Sequence, residues 1–80
     1  MHELGVLRQA LRTVNAAAEK NEIKRIKFIT LQVGTESGFV PLYLNKLFPA
    51  ARDMFSVTMD AELKLEMVPG RQLQIKEIGY

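Results

Sequence analysis

Apolar residues fall at three- and four-residue steps near the start of the chain. Leu4, Leu7, Leu11, Val14 and Ala18 line one side, while Arg8, Arg12 and Glu19 fall mainly on the other. That spacing predicts an amphipathic helix over residues 4–20, with Asn21 as its stop signal. The alanines at 16–18 suggest close packing on something flat, a sheet. Residues 24–33, rich in Ile, Phe, Thr and Val, read as a strand. Ile29, Leu31 and Val33 keep one phase and Ile26 and Phe28 the other, so the strand is buried on both faces or carries a bulge near Phe28-Ile29. Gly34 to Gly38 then forms a loop. A second helix begins at Pro41, whose missing N–H is harmless in a first turn, and its apolar stripe is Leu44, Leu47, Phe48, Ala51 and Phe55. Pro49 deletes the bond to Asn45 and predicts a bend.

Strict alternation follows. Ala61, Leu63, Leu65 and Met67 interleave with Glu62, Lys64 and Glu66, and Leu73 and Ile75 resume the inward phase after Val68-Pro69-Gly70-Arg71. The Pro-Gly pair suits a type II turn, so the pattern predicts a hairpin. Ile78 breaks phase, which predicts a bulge or an end near Glu77. The expected fold class is α+β, a two-layer α/β arrangement: a three-stranded sheet with two helices on one face, in the order α-β-α-β-β.

Composition narrows the function. Eighty residues without linker or repeat make a single domain, 1–80. The absence of cysteine excludes disulfides, thiolate metal sites and thiol nucleophiles. No apolar run approaches the ~18–20 residues that span a bilayer, and the start lacks the basic and apolar blocks of a signal peptide. The expectation is a cytoplasmic protein with no membrane partner. The net charge of +2 is small, and its one basic cluster, Lys24-Arg25 with Lys27, has no interleaved aromatics, so no nucleic-acid partner is expected. Enzymatic chemistry is equally poor. The only histidine is His2, Ser37 and Ser56 lack a nucleophile's context, and Gly34 and Gly38 bracket a turn with no phosphate-loop Lys-Ser or Lys-Thr.

The amino terminus offers different chemistry. A histidine at position 2 can present three nitrogens to one metal: the amine of Met1, the deprotonated amide of His2, and the His2 imidazole. The resulting small chelate rings and in-plane nitrogen donors suit square-planar Ni(II) or Cu(II). Glu3 adds either another amide nitrogen or its carboxylate. Against this, a histidine beside a start methionine is commonly just an exposed side chain.

Several blocks, in order, resemble the HypA/HybF family of hydrogenase nickel-incorporation proteins. They are Met1-His2-Glu3-Leu4 before a helix, the run Ile29 to Gly38, Pro41 opening a helix, the strand Ala61 to Glu66 ending in Val68-Pro69, and the closing segment Gly70 to Ile78. The resemblance runs over nearly the whole chain. It implies an α/β nickel-binding domain that passes Ni(II) to a maturation GTPase and a [NiFe]-hydrogenase large-subunit precursor, or sometimes to urease. By direct match, the implied nickel ligands are Met1, His2 and Glu3. Family members insert a zinc module with two Cys-x-x-Cys pairs between the last two strands. Here Val68-Pro69 runs directly into Gly70-Arg71, so zinc is not expected and the module is read as absent between Pro69 and Gly70. Pro49 and the apolar pair Phe39-Val40 also depart from the family pattern. The rival expectation is a metal-free interaction module that docks a family partner. A homodimer is a further expectation, since a three-stranded sheet offers unpaired edges for strand exchange.

Overall fold

The computed structural model describes residues 2–80. It contains α1 (Glu3–Lys20), β1 (Phe28–Gly34), α2 (Pro41–Arg52), a 3-10 turn (Ser56–Thr58), β2 (Glu62–Val68) and β3 (Leu73–Gly79). The expected order of helices and strands is present, with the 3-10 turn added. The α1 stripe buries Leu7, Ala10, Leu11, Val14 and Ala18, and Asn21 caps its end. Of the alanine run only Ala18 is fully buried. These side chains join Ile29, Leu31 and Val33 of β1 and Leu44, Phe48 and Ala51 of α2 in one core. Each large aliphatic or aromatic side chain buried there contributes roughly 1.5–3 kcal/mol through removal from water.

Pro49 does not split α2, which runs unbroken to Arg52. It sits in the last turn, where the lost N–H leaves only the Asn45 carbonyl without its helical donor. Phe55 lies beyond the helix, half-buried at the entry to the 3-10 turn. The turn is fastened by Thr58, whose buried hydroxyl donates to the Arg52 carbonyl at 2.8 Å. Arg52 Nη1 in turn donates to the Ala61 carbonyl at 2.9 Å, which sets the approach to β2.

The sheet corrects the expected hairpin. Strand order is β2-β1-β3, so the two C-terminal strands do not pair with each other. β2 lies parallel to β1, from Phe28↔Glu62 to Gly34↔Val68, and β3 lies antiparallel on the other side, from Phe28↔Gly79 to Val33↔Leu73. Alternation specifies which face a residue occupies, not which strand sits beside it, and both topologies share one alternation. The connection over residues 69–72 is therefore a bridge across the end of β1. It covers two inter-strand spacings, about 9.6 Å in all, within the reach of four linking residues at about 3.3 Å each. Gly70 takes φ +109° to make it, a left-handed backbone that favours glycine.

β1 passes directly beneath this bridge. The N–H groups of Gly34, Thr35 and Glu36 donate to the carbonyls of Gln72, Val68 and Gly70 at 2.7, 2.8 and 2.8 Å. A Cβ on Gly34 would run into the Gly70 carbonyl.

The phase break at Ile78 has its expected cause. Thr30 faces Glu77 while Leu31 faces Ile75, so Lys76 is an extra residue bulged from β3. The mixed phases before Ile29 have another origin. β1 begins only at Phe28, and Ile26 lies ahead of it, fully buried, with its N–H on the Val57 carbonyl at 2.8 Å. Thr30 is also buried, on the face away from the helices, so β1 is partly covered on both sides. That outer face carries a polar ladder in which Glu66 accepts from Gln32 at 2.7 Å and from Lys76 at 2.9 Å. Lys64 lies over the Phe28 ring, 3.9 Å from its centroid. Met67, expected inside, is 48% exposed because β2 is an edge strand.

Replacing Gly34 by Ala is expected to destabilise the fold by at least about 2 kcal/mol in urea unfolding, since the rigid bridge backbone cannot yield to the methyl group. Gly5→Ala, in the exposed flank of α1 with open space around it, is expected to stabilise by roughly 0.5–1 kcal/mol.

Candidate metal centre at the amino terminus

α1 begins one residue after His2, which makes His2 its N-cap. The His2 carbonyl accepts the Val6 N–H at 3.0 Å, and its side chain is exposed and makes no capping bond. Main-chain N–H groups ahead of a helix's first hydrogen bond have no partner inside the helix. An exposed imidazole and an adjacent amide nitrogen thus occur together at this end. Met1, the third candidate, lies outside the described residues.

Glu3 behaves differently. It is 3% exposed, and its Oε2 accepts the Val40 N–H at 3.0 Å. Val40 is the N-cap of α2, so this carboxylate satisfies a helix-end donor and ties the start of α1 to the start of α2. Its pKa is lowered to about 2 by the hydrogen bonds and positive charge at its carboxylate, the Val40 N–H among them. Sequence reasoning found Glu3 as a candidate donor and missed this partner. Val40 lies far along the chain, and an ordinary valine gives no signal that its N–H needs a carboxylate.

The other sequence candidates are not brought together. Ser37 Oγ accepts the Phe39 N–H at 3.3 Å within the loop, and Ser56 opens the 3-10 turn. Arg25 meets Asp60 at 3.8 Å, both largely exposed, while Lys24 and Lys27 are exposed ahead of β1. Among the described residues no three His, Cys, Asp or Glu side chains converge on a metal-sized site. Two open grooves of about 180 and 260 Å³ run between α1 and β3. Their walls are mainly apolar, with Val6, Ala10, Val14, Ile75 and Ile78, and Glu77 is the one acid lining them. No helix among the described residues is long and apolar enough to cross a membrane.

The depressed Glu3 pKa fixes a pH dependence. Ionised Glu3 favours the folded state above the ordinary carboxylate value of 4.5, and that advantage is lost as pH falls towards about 2. Wild-type protein is therefore expected to melt at a higher temperature than Glu3→Gln at neutral pH. The gap should close between about pH 5 and pH 2 in thermal melts followed by circular dichroism.

Comparison with known proteins agrees with this architecture. Residues 1–78 match the HypA family, described as hydrogenase/urease nickel incorporation, metallochaperone. The hydrogenase maturation factor HypA of Picosynechococcus sp. is 33% identical over 69 residues, spanning 86% of this chain and 60% of that protein. HypA of Methanosarcina barkeri is also 33% identical over 69 residues, spanning 86% of this chain and 51% of its own length. The chain thus covers half to three fifths of these relatives. The solution structure of the Ni metallochaperone HypA from Helicobacter pylori superposes with a TM-score of 0.78 at 19% identity, over 96% of this chain and 72% of that one. A second HypA solution structure gives a TM-score of 0.69 at 20% identity, over 96% and 71%. At such identities the likeness carries the fold: two helices on a three-stranded mixed sheet. With its family match running from residue 1 to residue 78, the chain belongs to the HypA family, whose members are metallochaperones and maturation factors rather than enzymes.

Proposed function

We propose that this chain binds Ni(II) as cargo at its free amino terminus, through Met1, His2 and Glu3, and delivers it during maturation of [NiFe]-hydrogenase. The carrying observation is the pairing of an exposed His2 imidazole with the open first turn of α1. Because no side-chain cluster among the described residues suits a metal, the reading draws on main-chain nitrogens, which form the strong in-plane field that Ni(II) favours. The buried Glu3 carboxylate bears on this donor set. Its side chain ties the start of α1 to α2 and also accepts the Glu3 N–H, so recruiting that amide nitrogen to the metal exchanges this bond for a metal bond. Binding requires loss of the His2 amide proton, so affinity rises with pH and protons are released as metal enters.

Family membership supports the rest of the proposal: docking on a maturation GTPase, then on the hydrogenase large-subunit precursor, in the cytoplasm, with release by ligand exchange. The 69–72 bridge, in this reading, stands where other members carry their zinc module. The loop after β1 links the two places, since Glu36 is bonded to Gly70 of the bridge and Val40 to Glu3. A module inserted between Pro69 and Gly70 would thus sit near the nickel donors.

Calorimetry with Ni(II) on protein with an unmodified amino terminus is the test. His2→Ala and an acetylated terminus are each expected to weaken binding by roughly 100-fold or more, given the tenfold to hundredfold losses that even outer partners of a metal site produce. Glu3→Gln should keep most of the affinity if the carboxylate only positions the terminus. Undetectable binding, or binding indifferent to His2, would sink the proposal. Capture of the GTPase without metal would instead favour the metal-free interaction module.

A further inference from the structure

The two edges of the sheet are built differently. β3 carries the Lys76 bulge, a device that spoils an edge for further pairing. β2 carries none. Its seven residues, Glu62–Val68, pair with β1 in unbroken register and include neither proline nor glycine.

The orientation of its backbone follows from the bonds at its ends. Glu62 N–H donates to the Lys27 carbonyl at 2.9 Å and the Val68 carbonyl accepts from Thr35 at 2.8 Å. Main-chain groups of residues 62, 64, 66 and 68 therefore face β1, and those of Leu63, Leu65 and Met67 face outward from the free edge. On the helix-covered side, Leu63 and Leu65 are only half-buried and Met67 is 48% exposed.

We propose that this edge pairs with β2 of a second copy of the chain, antiparallel about a two-fold axis at Leu65, giving a continuous six-stranded sheet. Leu65 then faces its own mate and Leu63 faces Met67 of the second copy. The outward main-chain groups of these three residues pair with one another in about six hydrogen bonds. On the opposite face the same register sets Lys64 against Glu66 of the second copy, and Glu66 against its Lys64. Moving the axis to Lys64 opposes Lys64 to Lys64 and Glu62 to Glu66, while moving it to Glu66 opposes Glu66 to Glu66. Both alternatives place like charges together and shorten the ladder. An axis at Leu63 also opposes unlike charges, Glu62 to Lys64, but it sets Leu65 against Ala61, whose N–H and carbonyl are already bonded to Thr58 and Arg52. Charge complementarity and ladder length together select the Leu65 register, and a two-fold contact closes on itself rather than growing into a fibre.

A charge-swap experiment on the full chain tests this. Sedimentation of the unmodified protein across micromolar to millimolar concentrations should show a monomer–dimer equilibrium. Lys64→Glu and Glu66→Lys should each weaken it by roughly tenfold, since each creates two like-charge contacts per dimer. An equimolar mixture of the two variants should recover the dimer, because every opposed pair is again of opposite sign. Circular dichroism checks that both variants fold. Leu65→Cys gives an independent readout that does not depend on Glu66→Lys folding. In a chain without other cysteines it should oxidise to a covalent dimer, its Cα pair separated by about 5.5 Å, whereas Lys64→Cys should not. A chain that stays monomeric throughout, or a dimer insensitive to the swaps and not cross-linked at Leu65, would overturn the inference. So would an edge that accepts only an extended peptide from another protein.

Discussion

Everything in this fold is arranged around β1, the strand with both edges hydrogen-bonded. Its inner face supplies Ile29, Leu31 and Val33 to the core under both helices, and its two edges hold β2 and β3 apart. Because those flanking strands follow one another in sequence, the short connection between them has to cross the end of β1. Gly34 is the point where this requirement becomes a residue identity: the bridge backbone lies where a side chain would begin. Remove the central strand and neither neighbour has anything to pair with.

The same end of β1 governs the amino terminus. Chain leaving Gly34 is bonded to the bridge through Glu36 and to α1 through Val40, so a few loop residues connect the crossing to the candidate nickel donors. Glu3 does the fastening. Its carboxylate neutralises the open start of α2 and keeps the start of α1 in place, leaving the exposed His2 side chain outside the packed core. The residue next to His2 is thereby fixed to a second helix.

Much of this was readable in the sequence, for reasons that also explain the rest. The α1 stripe, Pro41 at a helix start, and the phase break at Ile78 are local patterns of burial, and burial leaves a periodic trace. Pairing leaves no such trace: Leu63, Leu65, Leu73 and Ile75 alternate identically whether their strands are neighbours or separated by β1. The Pro-Gly step at 69–70 misled because it suits a tight turn, whereas the structure uses Gly70's left-handed backbone to arch over another strand. At the candidate site, His2 and Glu3 stood out by chemistry and position. The Val40 contact did not, because it is made by a main-chain group that every non-proline residue possesses.

The crossing has a consequence for how the chain acquires its structure. Both partners of β1 are remote in sequence, and long-range pairings must close large loops before any stabilisation is gained, which slows folding relative to helical domains of similar size. Until residues 73–79 are available, β1 presents an apolar, unpaired edge beside two helices that can already associate. The last strand to arrive completes the arch as well as the sheet. Assembly is therefore late and cooperative, and the interval before it is when this chain is most exposed to pairing with the wrong strand.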